Sequence, residues 1–392
     1  MTASPLSLRR TAAAPWKNPA KYWPSLTAAT ADLDTPLGAI SVEALAANAF
    51  DLLDRAAGMP IRVATKSVRV RGVLDAVLAL PGYRGILAYT LPEALWLAAG
   101  RACYDDVVVG YPTVDRAAIA ALGADAQLAS RVTLMIDDLR QLDLIDSVVA
   151  PSRRAKIRLA LELDASYESA VLGHVGVRRS PIHTADAARA TAAQIVTRPG
   201  FELVGMMGYE AQIAGTVNKG TGRGSIIRRM QRASAAELAE RRAAAVAAVR
   251  ELAELEFVNG GGTGSIETTR ADPSVTEVAA GSGLFGPHLF DGYVQFAPAP
   301  AAAFALSVVR RPTPEIATLL GGGWIASGPT AYDRQPQLVW PAGLKTLPRE
   351  ASGEVQTPVT GPAARDLAIG ERVWLRHTKA GELSEHLNAF AL

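Results

Sequence analysis

A chain of 392 residues with 40 basic and 38 acidic side chains has a formal net charge of +2 at pH 7, which gives nucleic acid or an anionic membrane no electrostatic hold on it. With 49 % hydrophobic and 20 % charged residues the composition is that of an ordinary globular protein, and the length exceeds the roughly 250–300 residues at which single cores stop growing, so two domains are expected. A single cysteine, Cys103, excludes an internal disulfide framework and fits a reducing compartment.

Cys103 follows a predicted helix end and is expected to be a buried structural thiol rather than a nucleophile. Arg9 and Arg10 are not followed by an apolar segment, and no run of about 18 apolar residues occurs, so neither secretion nor membrane spanning is predicted. The expected location is the cytoplasm.

In chain order, residues 1–35 contain Trp16, Tyr22, Trp23 and several prolines without a clear period, and read as an extended arm. Ala39 to Val42 is strand-like, and Val42 to Ala57 has helical spacing of apolar residues. The short apolar run Ile61 to Ser67, which carries Lys66, is a strand followed by a helix over Arg69 to Ala79. Strands then begin at Gly85, Asp106, Val132, Ala155, Phe201 and Phe257, with helical patterns between them. The last of these helices, Ala235 to Leu252, is expected to be capped by Ser234.

About eight alternations of short, uniformly apolar strands with helices predict a parallel sheet covered on both faces. The count and length match a (β/α)8 barrel over residues 36–290, with an open doubly wound sheet as the alternative. After Asp291 helical periods vanish, and Phe304 to Arg310, Gln337 to Trp340 and Val373 to Arg376 look like strands. Residues 291–392 are therefore expected to form a mainly β domain, joined by part of the 1–35 arm, with Ala297 to Ala303 as a linker.

Two stretches carry the chemistry. A lysine at the end of a buried strand loses hydration worth several kcal/mol unless paired or deprotonated, and Schiff-base chemistry uses a neutral amine in such a place; an exposed lysine just past the strand is the plainer alternative. The second stretch is Val258-Asn259-Gly260-Gly261-Gly262-Thr263-Gly264-Ser265. Consecutive glycines between a strand and a helix present backbone N–H groups to a phosphate, and in a barrel the phosphate site often follows strands 7 and 8. Ala280-Gly281-Ser282-Gly283-Leu284 supplies a second small-residue turn. An imine-forming lysine together with a phosphate cup describes a site for pyridoxal 5'-phosphate.

Thr35-Pro36-Leu37, Ala64-Thr65-Lys66-Ser67, the Gly-Gly-Gly-Thr263-Gly264 cup and Glu277-Val-Ala-Ala-Gly281-Ser282 together resemble the fold-type-III pyridoxal-phosphate enzymes. Within that group the chain looks most like the branch of D-threonine aldolases and D-serine dehydratases, over roughly residues 35–390. The resemblance implies that Lys66 is the Schiff-base lysine. It also implies that Gly261, Gly262, Thr263 and Gly264 hold the phosphate, with help from Gly281 and Ser282, and that Tyr209 lines the cofactor unless it merely packs in the core. Two racemase arginines of the group are replaced here by Ala279 and His174, which argues against alanine racemisation.

In the aldolase and dehydratase branch a divalent metal sits on a His-x-Cys or His-x-Asp pair near the C-terminus. Here His377 is in place, but Lys379 occupies the second position, leaving Glu382 or His386 as substitute ligands and the metal itself open. His377 is also the candidate base for a β-hydroxyl proton, with a domain-interface histidine as the alternative. His183 and His288 have no counterpart in the group. The basic run Arg223 to Arg232, with Lys219, reads as a solvated loop and helix start or as a lid. The function expected is aldol cleavage of a β-hydroxy-D-amino acid. D-amino acid deamination by β-elimination, racemisation and cofactor binding without turnover are the alternatives. The β-domain normally completes a partner's site in this group, so a homodimer is implied.

Overall fold

The computed structural model describes residues 6–100, 104–379 and 381–392, so Cys103 lies outside the described residues. By its internal contacts the chain forms two compact units. One comprises Leu52–Lys66 and Leu74–Gly281; the other takes the residues up to Asp51 together with Ser67–Val73 and Ser282–Leu392. The chain thus passes from one unit to the other directly after Lys66 and again directly after Gly281.

The first unit is a closed barrel of eight parallel strands: β1 Ile61–Ala64, β2 Tyr83–Ala88, β3 Val107–Val109, β4 Val132–Ile136, β5 Ile157–Glu162, β6 Phe201–Gly208, β7 Phe257–Gly260 and β8 Glu277–Ala280. Each pairs with the next, and β8 closes on β1. The predicted barrel is what forms. Its strands are short and apolar because both faces are covered: the interior face is filled by Ala64, Leu87, Val108, Met135, Ala160, Met207, Phe257 and Ala279. The turns that follow the strands double as helix caps. Thr90, Asp115 and Thr184 each accept a backbone N–H from the first turn of the next helix, and Asp138 forms a capping box with Gln141.

Two elements differ from the sequence expectation. The strand Leu37–Ile40 is not part of the barrel; it pairs antiparallel with Ala302–Thr313 in the other unit. Full burial of a four-residue apolar strand does not say which sheet it joins. The helix expected from Ala235 begins at Arg223 and runs to Arg250, so the basic run is its first turns and Ser234 is interior. Arginine, alanine and methionine are good helix formers, and they carry the helix upstream. Ser234 is fully buried and its hydroxyl accepts from Gln212 Nε2 at 2.9 Å instead of capping.

The second unit is built on antiparallel pairing, with strands in the order 337–340, 372–376, 302–313, 316–320, 356–360 and 345–346. The helix Pro19–Ala29 packs Tyr22 and Trp23 into a cluster with Leu37, Ala303, Ala305 and Trp374. Trp374 Nε1 donates to Thr27 Oγ1 at 2.8 Å, and Tyr22 Oη donates to the Pro300 carbonyl at 2.8 Å. The stretch expected to be a linker is held fast. Asn48 Nδ2 donates to the Ala299 carbonyl at 2.9 Å and its Oδ1 accepts the Ala299 N–H at 2.7 Å, and Ala302 already belongs to a strand. Alanine and proline read as low complexity in sequence, but here the alanines are small enough for close packing.

Candidate active site

In a parallel barrel the turns after the strands gather at one end, and chemistry concentrates there. Lys66 lies in the single 3-10 turn Thr65–Ser67 that follows β1. It is half-buried, and its Nζ donates to Tyr111 Oη at 2.5 Å. Tyr111 stands two residues past β3, with its ring edge-on to Tyr89 at 5.7 Å. Tyr209 directly follows β6. Burial of its hydroxyl pushes its pKa up to about 12, so it stays protonated and neutral.

The glycine turns follow β7 and β8, of which β8 pairs with β1 and β7 with β8. Gly261 has φ +81°, a left-handed conformation that a side chain would strain. A Cβ at Gly262 would press on the Tyr209 ring at 3.1 Å, and one at Gly281 would collide with the carbonyl oxygen of Ala64. The two turns are therefore glycine because the cup closes tightly on Tyr209 and on the strand that delivers Lys66. Thr263 is buried, and its carbonyl accepts from Arg55 Nη2 at 2.6 Å. Gly261 departs from the expected pattern, because its N–H donates to Glu210 Oε2 at 3.0 Å. An amine, an aromatic ring and a glycine cradle on adjacent strands fit pyridoxal 5'-phosphate.

Three further residues of this end were not singled out from the sequence. Arg179 places its guanidinium 5.5 Å from the centre of the Tyr111 ring and 5.0 Å from that of Tyr209. Among the described residues it makes no hydrogen bond or ion pair. A cation therefore does face this mouth, five residues beyond His174, which instead bonds Glu168 Oε1 through Nδ1 at 2.6 Å on the hairpin Tyr167–Ser169/Gly173–Val175. Of the two arginine replacements read against racemisation, only Ala279, in the apolar interior, still bears on that argument. Glu162 ends β5 and is 3 % exposed. Burial pushes its pKa up to about 7; Arg179 pulls it down, and Asp137 and Asp164 push it up. The signals were present: an acid inside an apolar strand, and a tyrosine just past a strand end. The choice between Arg178 and Arg179 was not.

His377, Glu382, His386 and Ser282 belong to the other unit. His377 is 3 % exposed, with its ring edge-on to Phe285 at 6.4 Å. Burial, with Arg376 and His288 adding to it, pushes its pKa down to about 3. That makes the ring a weaker base than an ordinary histidine, contrary to the near-neutral value expected of it. Both of its ring nitrogens and Glu382 Oε2 are buried without hydrogen-bond partners. Glu382 Oε1 accepts from Ser327 Oγ at 3.1 Å, and His386 stacks on Trp324 at 4.8 Å. A neutral imidazole suits a metal. Among the described residues, however, no three histidine, cysteine or acidic side chains converge to hold one. His288 bonds the Gln335 carbonyl at 2.9 Å and His183 bonds Asp164 at 2.8 Å.

Residues 40–288, more than half of the chain, match the family model of the alanine racemase N-terminal domain. The chain belongs to this family. It is the group of fold-type-III pyridoxal-phosphate enzymes that the lysine strand and the glycine cup resemble. A curated relative, a D-threonine aldolase from Arthrobacter sp, is 27 % identical over 273 residues, which cover 67 % of this chain and 65 % of that protein. Among solved structures, D-threonine aldolase from Filomicrobium marinum superposes with a TM-score of 0.73 at 20 % identity, covering 90 % of this chain and 89 % of that one. D-threo-3-hydroxyaspartate dehydratase from Delftia sp. HT23 gives 0.65 at 19 % identity, covering 91 % and 94 %. No helix among the described residues is long and apolar enough to cross a membrane.

Proposed function

We propose that this family member is a pyridoxal-phosphate-dependent lyase that cleaves β-hydroxy-D-amino acids, D-threonine among them, to glycine and an aldehyde. The observation that carries this reading is the placement of Lys66 after β1 beside the glycine turns after β7 and β8. The similarity to D-threonine aldolases supports the choice of reaction. When bound, pyridoxal phosphate supplies an electron sink for the carbon that bears the substrate amine. Lys66 Nζ is the amine that would hold the cofactor covalently. Tyr111 Oη accepts a hydrogen bond from that nitrogen at 2.5 Å and so holds it in place at the strand end. Tyr209 keeps its own proton and offers a flat, neutral wall, while the glycine turns receive the phosphate. Arg179 supplies positive charge to a mouth whose substrates carry a carboxylate.

Aldehyde released from D-threonine by purified protein with the cofactor, with and without added Mn²⁺, tests the reading. Failure with every β-hydroxy-D-amino acid, alongside an intact cofactor spectrum, contradicts it. The likeness to the Delftia dehydratase favours a second reading, β-elimination to a keto acid and ammonia. Keto acid and ammonia from D-serine or D-threo-3-hydroxyaspartate, without glycine, select that one. We further propose a homodimer, on the family resemblance. Sedimentation as a monomer at micromolar concentration contradicts it.

A further inference from the structure

Beneath the glycine cup lies a buried polar network that the proposed chemistry does not use. Glu210 is 1 % exposed. Its Oε2 accepts the Gly261 N–H at 3.0 Å and faces Arg242 Nη2 at 3.3 Å, while its Oε1 accepts from Thr269 Oγ1. Thr269 Oγ1 lies 3.1 Å from Ser265 Oγ, which accepts the Gly262 N–H at 3.2 Å. Arg242 Nη1 donates to Asp272 Oδ2 at 2.9 Å, and both residues are buried. The network therefore reaches into the turn through two successive backbone N–H groups, one held directly by a carboxylate and the other through two hydroxyls.

A buried carboxylate with a guanidinium beside it has lost the solvation it would have in water, so its remaining bonds are strong and directional. Those bonds end on Gly261, the one residue of the cup whose φ of +81° lies in the left-handed region. Removing the carboxylate frees a peptide that glycine lets rotate widely. The segment Gly262-Thr263-Gly264 that follows would then lose its fixed orientation.

We propose that Glu210 is the positioning residue of the phosphate cup: by clamping the Gly261 peptide from below, with Arg242 balancing its charge, it fixes the following backbone N–H groups in the arrangement that receives the cofactor's phosphate. The proposal rests on the reading that this turn takes the phosphate. Both oxygens of the buried carboxylate are taken up by Gly261, Arg242 and Thr269, so its effect is expected to fall on the phosphate's share of binding. A cavity lined by Ala235, Leu238, Ala239 and Thr268 opens onto Glu210 and Arg242 and is bordered by solvent-exposed residues, so a small carboxylate can reach the position of a truncated Glu210.

The test is a pair of equilibrium titrations, one with pyridoxal 5'-phosphate and one with pyridoxal, which lacks the phosphate. Wild type is expected to bind the phosphorylated form much more tightly. In Glu210→Ala its affinity is expected to fall about tenfold or more, the size expected when a charge-assisted bond is lost, with pyridoxal affinity unchanged and formate restoring part of the loss. Thr269→Val removes one donor from the same carboxylate at constant shape, and is expected to give a smaller, equally phosphate-specific loss. It decides the matter if Glu210→Ala does not fold. Equal losses for both ligands, or no loss for either, overturn the positioning role. A wild type that binds the two ligands equally overturns the phosphate reading itself, and the role with it.

Discussion

The two ends of the barrel contain the same kinds of side chain in opposite states. At the N-terminal ends of the strands, Arg62 is 1 % exposed and fully engaged. It bonds Glu277 at 2.6 and 3.0 Å and Asp106 at 2.7 and 2.9 Å, and its guanidinium lies 5.0 Å from the centre of the Phe257 ring. Burial opposes that charge, but Glu277 and Asp106 outweigh it and raise the arginine's pKa. Asn259 Nδ2 also donates to Glu277 at 2.9 Å, and Arg158 pairs with Glu256 at 2.5 Å across β5 and the start of β7. At the C-terminal ends, Arg179 and Glu162 form no ion pair or hydrogen bond through their side chains with any described residue. The Arg62 network and the two unpaired charges thus lie at opposite ends of the barrel. Closed ion networks lock strands together, whereas charges left without partners are available to a ligand.

If that contrast holds, Arg62→Ala should cause the largest loss of stability, because it leaves two carboxylates without their cation. Denaturant unfolding is expected to show a loss of about 3–5 kcal/mol. A loss below about 1 kcal/mol would mean that the N-terminal network is ornamental.

Glu162→Gln should act in the opposite sense. Its folded pKa of about 7 lies above the ordinary 4.5, so the folded state holds this proton more tightly than the unfolded state does. The wild type therefore loses stability as pH rises from about 4.5 to about 7, and the glutamine variant does not. Unfolding at pH 8 is expected to show the variant about 2–3 kcal/mol more stable, with the difference gone near pH 4 and turnover reduced. A variant that is less stable at pH 8 contradicts the unpaired state of Glu162.

The smallest effect belongs to Tyr111→Phe. It removes the bond to Lys66 for about 0.5–1.5 kcal/mol of stability at most. Turnover, measured at saturating cofactor, should fall more than stability does. A stability loss as large as that of Arg62→Ala would make the C-terminal end structural as well.

What the sequence disclosed follows the same division. The strand–helix rhythm gave the barrel because eight short, uniformly apolar strands leave a parallel sheet as the simplest way to bury both faces. Lys66 and the glycine run stood out as candidates because each is an exception: a cation at the end of an apolar strand, and a turn too rich in glycine for ordinary needs. Leu37–Ile40 went to the wrong sheet because its pairing partner is over 260 residues away, and local pattern does not encode that distance. Arg179 was hidden because an arginine was sought at His174, which lies on a hairpin and bonds Glu168, five residues before the cation that faces the mouth. The state of His377 depends on burial that no spacing reveals: the residue type suggested a near-neutral base, and its surroundings push it to about 3.

The central claim is that Lys66 bonds pyridoxal phosphate at the C-terminal end of β1. Its most direct test is the visible absorption spectrum of purified protein incubated with the cofactor, compared with that of Lys66→Ala, together with borohydride reduction and peptide mapping. A lysine-bound cofactor band is expected in the wild type and absent from the variant, with a reduced cofactor adduct on the peptide containing Lys66. A band that survives in Lys66→Ala, or an adduct on another lysine, contradicts it.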